Sequence, residues 1–390
     1  MKDVFIISAK RTPIGGLLGN LSLLSATELG AIAIKETYKQ TGIDPAFFDS
    51  VYFGNVLSAN LGQSPARQAA LFAGVSNTAD ATTVNKVCAS GMKATILGAQ
   101  QIQLGLEQLT ITGGMESMSN VPHYAMLRKA PKLGNSMLTD GMIKDGLWDV
   151  YNNFHMGSAA ELGIKKYKLT RAALDEYAIE SYRRAAQATV KGKFREEIIP
   201  VEIEQKGQKI TIDKDEDIDK IIPGKIAGLK PVFEKDGTLT AANSSNLNDA
   251  AAALLLASKD AVETYNLKPL AKIIGYADAA QAPEWFTTSP ALAIPKAVKA
   301  AQLQLSDVHF FEINEAYASV VLSIQQLLGL DLAKVNVYGG AIAMGHPIGA
   351  SGARIITTLL SVLKQEGGKY GVAGICNGGG GASAIVIENL

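Results

Sequence analysis

The sequence predicts an α/β protein of two similar domains, with a further segment inserted in the first. Three observations carry this. Short β-branched runs alternate with alanine-rich, helix-patterned segments along most of the 390 residues. Two stretches recur in order at near-equal offsets. Residues from 120 to roughly 240 differ in character, with most of the charge runs (Lys165-Lys166, Arg183-Arg184, the run 213–220) and longer irregular joins.

Strands are expected over residues 4–8, 50–55, 109–112, 272–277, 309–313, 371–375 and 382–387. A shift of 261 positions lays Ser90-Gly91-Met92-Lys93 on Ser351-Gly352-Ala353-Arg354, and Ile111-Thr112-Gly113 on Val372-Ala373-Gly374. A shift near 258 sets 49–55 against 307–314 with a one-residue slip. Matches in order at such offsets favour an internal duplication. The expected domains are 1–119, completed by about 241–268, and 269–390, with 120–240 inserted. Inside the insertion, helices are expected near 159–168 and 171–191, the second capped by the Thr170 hydroxyl. Two such domains face to face would bring loops and helix N-termini of both onto one site.

Thirty-seven basic residues balance 37 acidic ones, so no whole-chain field draws nucleic acid or an anionic membrane. An anionic ligand would need a local basic cluster or helix N-termini. Two cysteines, Cys88 and Cys376, make neither a disulfide framework nor a cysteine zinc site. His123, His155, His309 and His346 lack metal-ligand spacing, so no metal is expected. No apolar run approaches the ~20 residues of a spanning helix. The N-terminus reads as a strand start rather than a leader. A cytoplasmic protein is expected.

Four segments stand out chemically. Cys88 sits in Val84-Asn85-Lys86-Val87-Cys88-Ala89-Ser90-Gly91, where a strand-like approach turns into a helix. There the helix dipole would lower its pKa below roughly 8.5 and supply a thiolate nucleophile. Its own N–H would face the bond under attack, as half of an oxyanion hole. The ordinary reading of a rare cysteine is a small buried hydrophobe. His346 lies in the glycine-rich Gly345-His346-Pro347-Ile348-Gly349, before a helix from about Ser351 and in the half opposite Cys88. Cys376 opens Cys376-Asn377-Gly378-Gly379-Gly380-Gly381 after a strand, and four glycines serve an anion nest better than a packed fold. Asn314 ends a strand ahead of an apolar helix, where an amide ordinarily caps.

Together these segments resemble the thiolase family along the whole chain. The matching motifs also include Gly62-Gln63-Ser64-Pro65-Ala66-Arg67-Gln68-Ala69-Ala70 and Gly113-Gly114-Met115-Glu116-Ser117-Met118-Ser119. The resemblance implies a duplicated, five-layer αβαβα fold with an inserted loop domain. It implies reversible Claisen condensation of two acetyl-CoA to acetoacetyl-CoA and CoA, ping-pong through an acetyl-cysteine. Cys88 would be the nucleophile, His346 its activating partner and Cys376 the acid/base at the α-carbon. Asn314, through a water, and His346 would steady the enolate; the N–H groups of Cys88 and Gly378 would hold the acylation oxyanion. Ser245 would bond the CoA arm. His155, Met156, Phe286 and Tyr317 would wall the substrate pocket. Ser244 and Asn246 depart from the family's usual Ala and Gly, and Tyr317 from its usual Phe. No cofactor is implied, CoA being substrate and product, and a homotetramer is implied, with 120–137 as a contact loop.

Lys206, Lys209, Lys214, Lys220, Lys225 and Lys230 are candidates for the CoA phosphates, a solvated face being the ordinary reading. The rival functions are a broad-range 3-ketoacyl-CoA thiolase of fatty-acid degradation and, more remotely, a catalytically dead CoA-thioester-binding protein. The His155-Met156 pair and the intact Cys88, His346, Cys376 and Asn314 weigh against them. A ketoacyl synthase is rejected, since Cys376 stands where a second histidine is expected.

Overall fold

The computed structural model describes residues 2–129, 131–205 and 207–390. The main sheet has ten strands among the described residues, Gly15–Gly16 pairing at its side with Asn248 and Asp249 and nine forming the continuous path: β1 (Val4–Arg11), β2 (Ser50–Gly54), β3 (Asp80–Val84), β4 (Leu109–Ser117), β5 (Asn248–Ser258), β6 (Ala271–Ala280), β7 (Phe310–Ile313), β8 (Tyr370–Asn377) and β9 (Gly381–Asn389). Their order is β7-β8-β9-β6-β1-β5-β4-β2-β3. Leaving out β3, that order is a palindrome about the β6–β1 junction, β6 answering β1, β9 answering β5, β8 answering β4 and β7 answering β2. The same hand of pairing recurs in both arms: β2–β4 and β7–β8 are parallel, the remaining matched pairs antiparallel. Even a register shift is repeated, between Ile6 and Ser8 in β1 and between Ile273 and Gly275 in β6. The two arms join through only three residue pairs, Val4–Ile273, Phe5–Lys272 and Ile6–Ala271.

Helices complete the layers. α1 (Ala26–Lys39) and α2 (Pro65–Phe72) cover the outer face of the N-terminal arm, burying Leu29, Ile34 and Ala69 against Val51, Phe53 and Leu255. α3 (Ser90–Leu104) and α8 (Ile348–Glu366) pack on each other between the arms, where Met92, Ile96, Ile355 and Leu359 meet Leu254, Leu256, Ile385 and Ile387. α6 (Pro290–Ala300) and α7 (Ala318–Leu328) cover the outer face of the C-terminal arm. The sequence of layers is αβαβα. From the segment between β4 and β5, α4 (Met156–Tyr167) and α5 (Arg171–Val190) pack against α7, and Thr170 Oγ1 accepts from Ala173 N to cap α5. Arg11 at the end of β1 fastens the same segment, pairing its guanidinium with Glu197 (2.7 Å) and bidentately with Asp215 (2.7 and 3.0 Å) out of reach of solvent.

Two strands lie where the sequence pattern does not place them. β5 carries Ala250 to Ala253 and three leucines, every residue buried, so it shows none of the alternation that marks a half-buried strand. β3 is a partly exposed edge strand, its DATTV offering little apolar signal.

Close approach of α3 and α8 depends on two glycines matched by the 261-residue shift. A Cβ on Gly91 would lie 2.9 Å from Ala353 N and 3.0 Å from Gly349 O. One on Gly352 would overlap the Met92 backbone. Overpacking of this kind costs about 1–3 kcal/mol even where side chains can yield. Gly352→Ala is therefore expected to lower the unfolding free energy by at least that much, read as a lower urea midpoint at unchanged m, while Gly224→Ala, with nothing within 4 Å, leaves the midpoint in place. Equal midpoints would remove the glycine contact as the determinant of helix spacing.

Candidate active site

The site is built where chain ends from both arms face each other. Cys88 lies two residues ahead of α3, in a turn entered through Val87 at φ +48°, a left-handed conformation that a β-branched residue rarely adopts. Local bonds hold it there. Asn85 Oδ1 accepts from Val87 N (3.0 Å), while Ser90 Oγ accepts from Lys86 N (2.8 Å) and donates to Val87 O (2.6 Å). Lys86 then reaches the opposite arm, donating to Asp278 (2.6 Å) and Ser383 (2.9 Å), and Lys93 donates to the other Asp278 oxygen (2.7 Å).

Two backbone N–H groups are directed at the Cys88 sulfur: its own and that of Gly378. The second comes from the β8–β9 turn, where Gly379 and Gly380 take φ +83° and +82°. The expectation of a depressed thiol pKa does not hold. Burial pushes Cys88 up to about 12, and the two N–H groups only moderate that rise. The helix begins at Ser90, so the sulfur gains less from the helix end than it loses from water. Burial, and then the proximity of Cys88, pushes Cys376 up as well.

His346 stands two residues ahead of α8, which starts at Ile348 rather than Ser351. Gly345, at φ +113°, leaves the space occupied by the Asn248 amide. Asn248 Oδ1 accepts from His346 N (2.9 Å), and Asn248 Nδ2 donates to Gly15 O (3.0 Å) and Asp217 (2.8 Å). The ring Nδ1 lies 2.6 Å from Ser351 Oγ, and Asn314 Nδ2 is 3.5 Å from each ring nitrogen. Burial, seconded by the Arg354 charge, drives the ring down to about 3, so it is neutral near pH 7. Asn314 does not cap α7, whose N-cap is Tyr317; its amide turns to His346 and its Oδ1 has no partner among the described residues.

A cleft of about 520 Å³ opens onto Cys88, His346 and Gly378. Ser245, His155, Met156, Phe286 and Tyr317 also line it, so the structure brings together all of these expected residues. Cys376 and Asn314 are fully buried and do not line that cleft, Asn314 lying behind His346. His155 is no free loop residue. Its Nδ1 caps α4 by accepting from Gly157 N (3.0 Å), and its ring stacks on Phe233 at 4.8 Å. Phe233 meets Tyr317 edge-on at 5.9 Å, and Phe286 meets Tyr317 at 6.4 Å, closing an aromatic wall. Ser244 pairs with the Tyr317 backbone, and Asn246 donates to Asp217 (3.1 Å). Of the six lysines, Lys206 lies outside the described residues and Lys220 lines the cleft, held 2.6 Å from Asp217.

Sequence reasoning passed over three supports. Glu116, inside a quoted motif, accepts from Asn55 Nδ2 (2.8 Å), Val56 N (3.1 Å), Leu57 N (3.1 Å) and Gly349 N (2.8 Å), binding one arm to the start of α8. Asn248 and Phe233 are the others. Only the motif marked Glu116 as special; nothing local marked Phe233.

The description "Thiolase, N-terminal domain" matches residues 4–260 and "Thiolase, C-terminal domain" matches residues 267–389. The chain belongs to the thiolase family. It is 56% identical to "Acetyl-CoA acetyltransferase 2" of Arabidopsis thaliana, over 100% of this chain and 98% of that one. It is 53% identical to "Acetyl-CoA acetyltransferase ERG10, cytosolic" of Gibberella zeae, over 100% and 99%. Among solved structures, the Acat5 thiolase from Ascaris suum in complex with coenzyme A superposes with a TM-score of 0.95 at 44% identity, each chain covered in full.

With the Cys88 pKa near 12, its thiolate fraction rises with pH across the whole neutral and alkaline range. Iodoacetamide alkylation of Cys88, followed by peptide mass, should climb about tenfold per pH unit from pH 7 to 10 without a plateau. A plateau near neutrality would mean a thiolate already formed at rest.

Proposed function

We propose that this chain is an acetyl-CoA C-acetyltransferase, joining two acetyl-CoA into acetoacetyl-CoA and CoA, reversibly, through an acetylated Cys88. The observation that carries this reading is one cleft holding a cysteine just after the left-handed Val87, two N–H groups aimed at its sulfur and a neutral histidine. The names of the relatives, and the coenzyme A in the Ascaris suum structure, support it.

In the first half-reaction Cys88 Sγ attacks the acetyl carbon and its proton passes to His346. The N–H groups of Cys88 and Gly378 hold the resulting oxyanion, a service whose loss typically costs ~10²–10³ in rate. The bond to the CoA sulfur breaks, and that sulfur takes the proton from His346. In the second, Cys376 gives its thiol proton to solvent, and the thiolate removes a methyl proton from another acetyl-CoA. His346 and a water held by Asn314 steady the enolate oxygen. The enolate carbon attacks the acetyl group on Cys88; the Cys88 thiolate leaves and recovers the proton that Cys376 had gained. Burial first, and then the proximity of Cys88, disfavours a thiolate on Cys376; acetylation of Cys88 removes the second of these and leaves the first.

Ser245 is read as the contact to the CoA arm, and His155, Met156, Phe286 and Tyr317 as the wall that limits acyl length. Residues 1–119 with 241–268, and 269–390, are read as the two domains, 120–240 as the insertion supplying part of that wall. A cytoplasmic location is proposed, supported by the name of the Gibberella zeae relative; among the described residues no helix is long and apolar enough to cross a membrane. A homotetramer is proposed through 120–137, where Met126, Leu133 and Met137 are almost fully exposed.

Two measurements test the reading. Acetoacetyl-CoA should be thiolysed far faster than ketoacyl-CoA beyond about six carbons, because a filled pocket rejects extra methylenes at ~1–3 kcal/mol. Comparable rates on four- and ten-carbon substrates would leave the broad-range thiolase standing. Cys376→Ala should still gain one acetyl group by intact mass, while exchange of acetyl-CoA methyl protons with deuterium falls ~10²–10⁴-fold. Exchange at the normal rate would transfer the base role to another group.

A further inference from the structure

We propose that Ser351 is a positioning residue for His346, a hydroxyl that lets the ring serve as proton acceptor in one half-reaction and hydrogen-bond donor in the other. This rests on the proposed function above. Ser351 Oγ lies 2.6 Å from His346 Nδ1 and 2.9 Å from Pro347 O, in the first turn of α8. Both side chains are buried, Ser351 at 1% exposure. With Nδ1 taken by Ser351, Nε2 is the nitrogen left for chemistry.

The two half-reactions ask opposite things of Nε2. To receive the Cys88 proton it must carry a lone pair, so the neutral ring must hold its hydrogen on Nδ1. To steady an enolate oxygen it must carry the hydrogen, leaving the lone pair on Nδ1. A hydroxyl both donates and accepts. In the first state Ser351 accepts from Nδ1 and turns its own hydrogen to Pro347 O. In the second it donates to Nδ1. Between the half-reactions the ring takes one solvent proton at Nε2 and gives up the Nδ1 proton to solvent, so the net charge of the site does not change. A carboxylate in this place could only accept, and would favour the charged ring, as in serine-protease triads. The neighbouring charge is Arg354, one turn along α8, which opposes ring protonation, and the Asn314 amide, just past β7, is neutral.

The duplication supports the assignment. Under the 261-residue shift Ser351 answers Ser90, which also sits in the first turn of its helix and ties the preceding turn, through Lys86 N and Val87 O. In the C-terminal arm the same serine position has exchanged a backbone partner for a ring.

The test compares Ser351→Ala with Ser351→Thr, which keeps the hydroxyl, after circular dichroism and thermal unfolding confirm that both fold. In Ser351→Ala, kcat for acetoacetyl-CoA thiolysis should fall about 10²-fold, the usual effect of misplacing a reacting group. The KM for CoA should stay within about twofold, because Ser351 does not line the cleft. Ser351→Thr should recover most of kcat. With ¹⁵N-labelled histidine, the His346 ring resonances should shift between tautomers in Ser351→Ala and not in Ser351→Thr. A folded Ser351→Ala with wild-type kcat and unchanged His346 resonances overturns the proposal. A wild-type enzyme without thiolase activity, whose His346 resonances still respond to Ser351→Ala, overturns the proposed function instead.

Discussion

Everything in the site hangs from the contact between two helices that lack side chains where they touch. α3 and α8 meet at Gly91 and Gly352, and no larger residue fits against Ala353 N or the Met92 backbone. Because Cys88 and His346 each precede their helix by two residues, that crossing determines how far apart nucleophile and histidine stand. The surrounding bonds refine a distance already set. Lys86 and Lys93 tie the Cys88 turn to Asp278 and the Gly378 hairpin, and Glu116 ties the α8 entry to residues 55–57. Each crosses from one arm to the other, so a shift of either arm would be felt at both chemical groups.

The site is largely buried and, at rest, close to neutral. Burial holds protons on both thiols and keeps them off His346. Charge therefore appears only transiently, which is where preorganised N–H donors gain most. The buried carboxylates are spent elsewhere. Glu315, next to Asn314, accepts from Tyr177 and Ser181 of α5 (2.7 Å each), Asn336 Nδ2 (2.9 Å) and Ile342 N (3.1 Å). One dipeptide thus supplies an amide to the site and an anchor for the segment that walls it.

What the sequence made legible follows from how local each signal is. The nucleophile turn, the glycine-flanked histidine and the four-glycine turn announce themselves, since their backbones need unusual residues at fixed spacing. The Thr170 cap is equally local. Burial is not, and so the dipole argument at Cys88 pointed the wrong way: the loss of water belongs to the tertiary structure. β5 escaped for a related reason, being covered on both faces and so free of alternation. Phe233 escaped because its partner His155 is distant in sequence and close only in space.

The palindromic strand order has a historical consequence. A molecule with two matching arms joined by three edge pairs and a crossed helix pair is what a homodimer becomes when its subunits are fused end to end. Under the 261-residue shift, Cys376 falls on Met115 and Asn377 on Glu116, both fully buried in the other arm. The matching arms therefore do not carry matching chemistry. Where one side of the axis has a thiol and an amide, the other has a thioether and the carboxylate that ties residues 55–57 to the start of α8.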